Sequence, residues 1–185
     1  MAQDSQIKIL ESQIRELYGR VVWTHKTQEK CADILLRRHT ILKIFQITLS
    51  ALTTTGILVA VFGENKVVGI ISAILSAILF GLNAYTKDYD LGEISQKHSN
   101  SASDLWNIRE SYLSLLTDIR SERLTVEQIA IRRNELQAEL SNTYKGAPRT
   151  ISAAYKEATK GLKENEELTF SKDEINNLLP EDLRV

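Results

Sequence analysis

IFQITLSALTTTGILVAVFGENKVVGIISAILSAILFGLNAYT, residues 44–86, is the stretch whose reading decides the fold. No formal charge occurs from Ile44 to Gly63, and none from Val67 to Thr86, so Glu64 and Lys66 are the only charges between two apolar runs. Each run has about 20 residues, which as helix rise about 30 Å, the thickness of the bilayer hydrocarbon. A soluble helix of that length shows a charged face at every turn, and neither run does. The competing arrangement is a buried hairpin in a soluble bundle. A chain of 185 residues with this composition has too few other apolar helices to wrap two that are hydrophobic all round. The pattern therefore predicts a transmembrane helical hairpin over residues 41–86, with its turn at 63–66.

Outside the hairpin the chain is polar. Its 23 basic and 24 acidic residues give a formal charge of -1, so bulk composition resembles a soluble domain and only the uneven distribution reveals the apolar segment. The opening MAQDSQIKILESQIREL is polar and amphipathic, with neither the apolar core nor the small-residue cleavage site of a secretory signal. The single cysteine, Cys31, has no intramolecular partner, which fits polar parts held in a reducing cytoplasm. Arg37, Arg38, His39 and Lys43 precede the first run, whereas the turn is neutral on balance. The positive-inside rule then predicts both termini in the cytoplasm and the turn outside.

The flanking segments read as helix. In the N-terminal amphipathic segment, residues 1–40, Ile7, Leu10, Ile14, Leu17 and Val21 alternate three and four apart, a seam pattern that returns after the hairpin in Leu105, Ile108, Tyr112, Leu115 and Ile119. With no proline before Pro148, both membrane helices are expected to continue as paired cytoplasmic stalks. Residues 87–145 form cytoplasmic helices, among them one opened by the capping box Thr125-Val-Glu-Gln128 and striped with Ile129, Leu136 and Leu140. Residues 146–185 form a helical tail. There Gly146-Ala-Pro148 is expected to restart the chain with proline in the first turn of a helix carrying Tyr155, Ala158 and Leu162, and a second capping box, Ser171 to Glu174, opens a short helix that stops near Pro180. The prediction is an all-α membrane protein.

The chemistry is mostly one of absence. The sequence has no glycine-rich phosphate loop, paired-cysteine or HExxH zinc pattern, or nucleophile elbow, so no enzyme and no cofactor are expected. His25 and Cys31 share a helix at a spacing poor for a metal. Arg132-Arg133 reads as a solvated helix face, and direct nucleic-acid binding is not expected. The hairpin itself is more informative. Gly69, Ala73, Ala77 and Gly81 fall four apart, a row of small side chains that lets another helix approach. Beside it lie Ser72, Ser76 and Asn83, and the first run carries Gln46, Ser50, Thr53 and Thr54. An amide in hydrocarbon is costly unless it is hydrogen-bonded, so Gln46 and Asn83 either satisfy one another across the helices or face a wet lumen. One hairpin encloses no water, and a pore would need several copies.

The layout of a cytoplasmic helix, two closely spaced membrane helices and a tail resembles the SLATT family. The tail carries the most distinctive part of that resemblance, in Ala147-Pro148-Arg149, the Tyr155 to Ala158 stretch, Glu167 to Phe170, and Leu179-Pro180 with Leu183-Arg184. The resemblance implies a two-transmembrane effector that accompanies nucleotide-synthesising enzymes in bacterial antiviral defence of the CBASS type. It implies a homo-oligomer that perturbs or forms a pore in the inner membrane and ends growth of the infected cell when a partner enzyme or its cyclic oligonucleotide signals. The tail residues Arg149, Tyr155, Phe170, Pro180 and Arg184 are candidate receivers of that signal. The alternative is a non-catalytic membrane anchor that recruits a cytoplasmic defence partner.

Overall fold

The computed structural model describes residues 2–184, all of its regular structure helical. The order is α1 (Ala2–Phe62), α2 (Lys66–Asp88), α3 (Leu91–Arg120), α4 (Val126–Gly146), α5 (Ser152–Lys163), α6 (Lys172–Leu178) and a single 3₁₀ turn (Glu181–Leu183). Two compact units divide it: the residues up to Cys31 with those from Ser99 onward, and residues 32–98.

In the first unit the three-and-four spacing becomes a seam. Ile14, Leu17 and Val21 of α1 join Leu105, Ile108, Tyr112, Leu115 and Ile119 of α3, and Ile129, Leu136 and Leu140 of α4 complete one core. Residues so spaced share a helix face, which is why sequence neighbours such as Arg15 and Glu16 stay exposed. The capping box at Thr125 forms in both directions, with Gln128 N–H donating to Thr125 Oγ1 and Thr125 N–H to Gln128 Oε1, and starts α4 where the apolar stripe needs it. The capping box at Ser171 does the same for α6.

Pro148 does not open a helix. It sits in an extended connection after Ala147, and α5 begins only at Ser152, with Ile151 extended as its N-cap. The residue before a proline is driven out of the helical region, and the freed Pro148 carbonyl accepts a hydrogen bond from Gln28 Nε2 at 3.3 Å. The buried face of α5 is Ala154, Ala158 and Gly161, whereas Tyr155 is exposed.

In the second unit α1 and α2 form an antiparallel hairpin joined at Gly63–Asn65, with Lys66 already helical. Asn65 caps α2 by accepting from Val68 N–H. The expected continuous stalk beyond the second run is interrupted: α2 ends at Asp88, and Asp90 starts α3 by accepting from the N–H groups of Gly92 and Glu93 at 2.8 and 3.1 Å. A side-chain cap of this kind satisfies the orphan donors of a new helix start without any proline. Ser95 Oγ then donates to the Ala32 carbonyl at 2.8 Å, tying the first turns of α3 to α1.

Two histidines are folded in. Burial lowers the pKa of His25 and of His98 from 6.5; at His25, Glu29 opposes the fall while Arg109 and Lys26 reinforce it. Just below 6.5 the unfolded chain therefore binds more protons than the folded one. Their contribution to stability is full above the unfolded value and is lost as pH falls through it toward the depressed native values. The thermal unfolding midpoint in detergent is expected to drop between about pH 7.5 and about pH 5.5. A profile unchanged when His25 and His98 are replaced by asparagine would remove both from the linkage.

Candidate functional site: the membrane hairpin

Leu42, Gln46, Leu49, Thr53, Gly56 and Ala60 of α1 alternate four and three apart along the hairpin seam and are all buried or half-buried. On α2 the seam is Val68, Ser72, Leu75, Leu79, Leu82 and Thr86, in the same alternation. Many other bulky side chains point away from it, with Ile47 69%, Val61 65% and Phe80 77% exposed. A seam in which leucines alternate with small and polar residues, with many large apolar side chains left outside, suits a lipid solvent, because hydrocarbon is no less comfortable for isoleucine than a protein core. Water would reject such a surface.

At one end of the seam the two amides meet. Gln46 Nε2 donates to Asn83 Oδ1 at 3.0 Å and to Thr86 Oγ1 at 2.9 Å, which uses both amide protons. The hydroxyls bond back to their own helices: Thr53 to Leu49, Thr54 to Ser50, Ser72 to Val68 and Thr86 to Leu82, each to the carbonyl four residues earlier. Thr53 and Ser72 are buried in the seam, while Ser50, Thr54, Ser76 and Asn83 are exposed.

Close approach occurs toward the turn. A Cβ built on Gly56 would collide with the Ser72 hydroxyl, and one built on Gly69 would stand 3.3 Å from Ala60 Cβ. Gly69 is thus the member of the small-residue row that meets α1. Ala73, Ala77 and Gly81 are exposed, and a Cβ at Gly81 would meet nothing within 4 Å. The partners that the row reading missed are Gly56 and Ala60, which themselves stand four apart on α1.

At the other end the hairpin meets polar chain. Tyr85 and Tyr89 stack with centroids 5.2 Å apart, and His39 Nδ1 lies 3.7 Å from Asp90 Oδ1. Backbone N–H donation from Glu93 and Gly92, with His39 and Lys43 nearby, holds the Asp90 carboxyl below its usual range. Tyrosines beside charged groups are the composition of a membrane–water boundary.

Within the first unit, the tail is fastened to α1. Lys26 Nζ lies 2.6 Å from Glu167 and 3.0 Å from Glu29, and Lys30 lies 3.5 Å from Glu167. Burial alone would lower the Lys26 pKa, but the bonds to Glu167 and Glu29 outweigh it and raise the value. Glu167 is held below the ordinary 4.5, first by the Lys26 hydrogen bond and further by the Lys26 and Lys30 charges. Trp23 meets Tyr155 at 5.8 Å between centroids and carries Lys163 Nζ over its ring at 5.5 Å, a cation–π distance. Ile151 N–H points at Cys31 Sγ at 3.5 Å, and burial pushes the Cys31 thiol pKa up. Among the candidate tail residues, Tyr155 is the one in this fastening. Arg149 lies in the connection before α5, Phe170 is exposed between α5 and α6, and Pro180 and Arg184 flank the 3₁₀ turn, with Arg184 Nε donating to the Leu179 carbonyl.

The family described as SMODS and SLOG-associating 2TM effector domain family 4 matches residues 10–174. This chain belongs to that SLATT family. The match runs through both units and ends inside α6, so Pro180 and Arg184 lie beyond it. Comparison with curated proteins and with solved structures yields no match. Membership accounts for the two apolar helices: the hairpin of this SLATT domain is its membrane-associated part, and the domain is an effector by family.

Proposed function

We propose that this SLATT domain is a non-catalytic effector of a bacterial antiphage defence system, resident in the inner membrane with both termini cytoplasmic. Copies assemble through their hairpins and perturb or perforate the membrane, and the cell stops growing or dies. The trigger is a nucleotide-synthesising partner enzyme, or its cyclic oligonucleotide product, acting on the helical unit. The observation that carries this reading is a seam closed within one chain, Gln46 to Asn83 and Thr86, beside the uncovered small side chains Ala73, Ala77 and Gly81. A closed two-helix seam holds no water path, and small exposed side chains are where the helix of another copy comes near. The basic flank Arg37, Arg38, His39 and Lys43 supports the orientation, and the association named in the family description supports a nucleotide-related partner.

The test is membrane potential and dye entry in a bacterial host expressing the chain with and without its neighbouring gene. Depolarisation that depends on the neighbour and precedes loss of viability is the expected result, and Ala77→Leu should weaken it by keeping helices apart. Intact potential in cells that hold the protein in the membrane with an active neighbour would end this reading. The anchor alternative draws on the same closed seam. It requires that another two-helix anchor replace residues 41–86 without loss of protection.

A further inference from the structure

Beside the seam, on the face where the two amides meet, runs a groove of about 500 Å³. Its polar lining is Lys43, Gln46, Ser50 and Asn83, and its floor is apolar, formed by Ile47, Ala51 and Leu79. The hydrogen-bond inventory of these side chains is incomplete in one direction. Gln46 spends both amide protons within the seam and Asn83 accepts through Oδ1, which leaves the Asn83 Nδ2 protons, the Ser50 hydroxyl and the Lys43 ammonium with no hydrogen-bond or ion-pair partner among the described residues. The acidic group near Lys43 is Asp90, whose Oδ1 is engaged by Gly92, Glu93 and His39; the Lys43 charge acts on it through space, from beyond ion-pair distance. In water such donors need nothing further. At the edge of hydrocarbon each costs free energy until it finds an acceptor.

We infer that this groove binds an anionic phospholipid, an assignment that rests on the membrane residence of the hairpin. Lys43 supplies the positive charge that a phosphodiester requires. Asn83 Nδ2 and, about a turn deeper, the Ser50 hydroxyl are donors at the level of the ester carbonyls. An acyl chain lies along Ile47, Ala51 and Leu79, which alternate with these donors. A cation at the polar end of the groove, with neutral donors set along an apolar floor, offers partners to the phosphate, the esters and the hydrocarbon of one lipid. In this assignment Ser50 and Asn83 serve a lipid, not a lumen.

The full chain is reconstituted in vesicles of equimolar phosphatidylglycerol and phosphatidylcholine, its insertion is checked by flotation, and the lipids that remain bound after detergent extraction are weighed by native mass spectrometry. Phosphatidylglycerol is expected to be enriched roughly fivefold, the size of one lysine's attraction to an anionic leaflet. Lys43→Gln should abolish the enrichment, while Lys66→Gln, at the turn, should keep it. Equal retention of the two lipids by an inserted chain, or a preference that survives Lys43→Gln, overturns the headgroup site and leaves the membrane reading standing. Failure to float with vesicles overturns both. Disulfide crosslinking between copies through Ser50→Cys in a Cys31→Ser background would show that a second chain occupies the groove, and would also overturn the inference.

Discussion

Gly56→Leu is expected to open the hairpin seam of this SLATT domain and, with it, to abolish the depolarisation proposed above. At Gly56 the α1 backbone faces the Ser72 side chain, and even a methyl group there collides with the Ser72 hydroxyl. The Ser72 Cβ stands 3.4 Å from the same point, an ordinary contact, so the conflict with alanine is with one oxygen that can rotate away. Doing so breaks the bond from Ser72 Oγ to the Val68 carbonyl at 2.9 Å. Gly56→Ala should therefore be mild, and Ser72→Ala should rescue it by removing the oxygen. Leucine has no such escape. Overpacking of this kind costs about 1–3 kcal/mol, or roughly 5- to 150-fold in the population of the closed hairpin. The measurement is disulfide formation between Ala60→Cys and Gly69→Cys in a Cys31→Ser background, because these positions approach closely across the seam. The crosslink should form readily in the otherwise unaltered hairpin and fall steeply with Gly56→Leu. Unchanged crosslinking would show that the seam tolerates the side chain and that Gly56 is not its closest point.

The hairpin was legible because two charge-free runs of membrane length leave few other arrangements, and the heptad positions of α1, α3 and α4 were legible because burial repeats with the helix period. What escaped was specific to partners. The row Gly69, Ala73, Ala77 and Gly81 looks like one packing face, yet a row winds around an ideal helix, and only Gly69 turns toward α1. Gly56 and Ala60, four apart on the first run, carried the same signal and are the residues that meet α2. The break at Asp90 was also written in the sequence, since Asp90-Leu-Gly-Glu93 has the form of a capping box, but a search for proline and glycine clusters passes over it. The Lys26–Glu167 pair was not legible at all. Its members are separated by most of the chain, and Lys26 followed by Glu29 reads locally as an ordinary helix-surface pair.

That pair gives the second large effect. Lys26→Glu would place a third carboxylate beside Glu29 and Glu167, on a residue that is 9% exposed, where the native lysine bonds to both. Like charges gathered with little water repel strongly, and the tail is the member free to leave. The segment from Ser152 to Glu167 is expected to detach from α1, so that a protease cuts the extended connection between Gly146 and Ser152 faster than in the unaltered protein. Lys26→Met separates the contributions, since it removes the cation but keeps the stem packed, and should loosen the tail less than charge reversal does. Combining Lys26→Glu with Glu167→Lys returns opposite charges to the contact and should recover protection beyond the sum of the single changes. If the tail receives the partner's signal, Lys26→Glu will also change how depolarisation depends on the neighbouring gene, whereas the double variant will restore that dependence. A protein that loses tail protection yet keeps its dependence on the partner would place signal reception elsewhere in the helical unit and leave the Lys26–Glu167 contact a matter of stability alone.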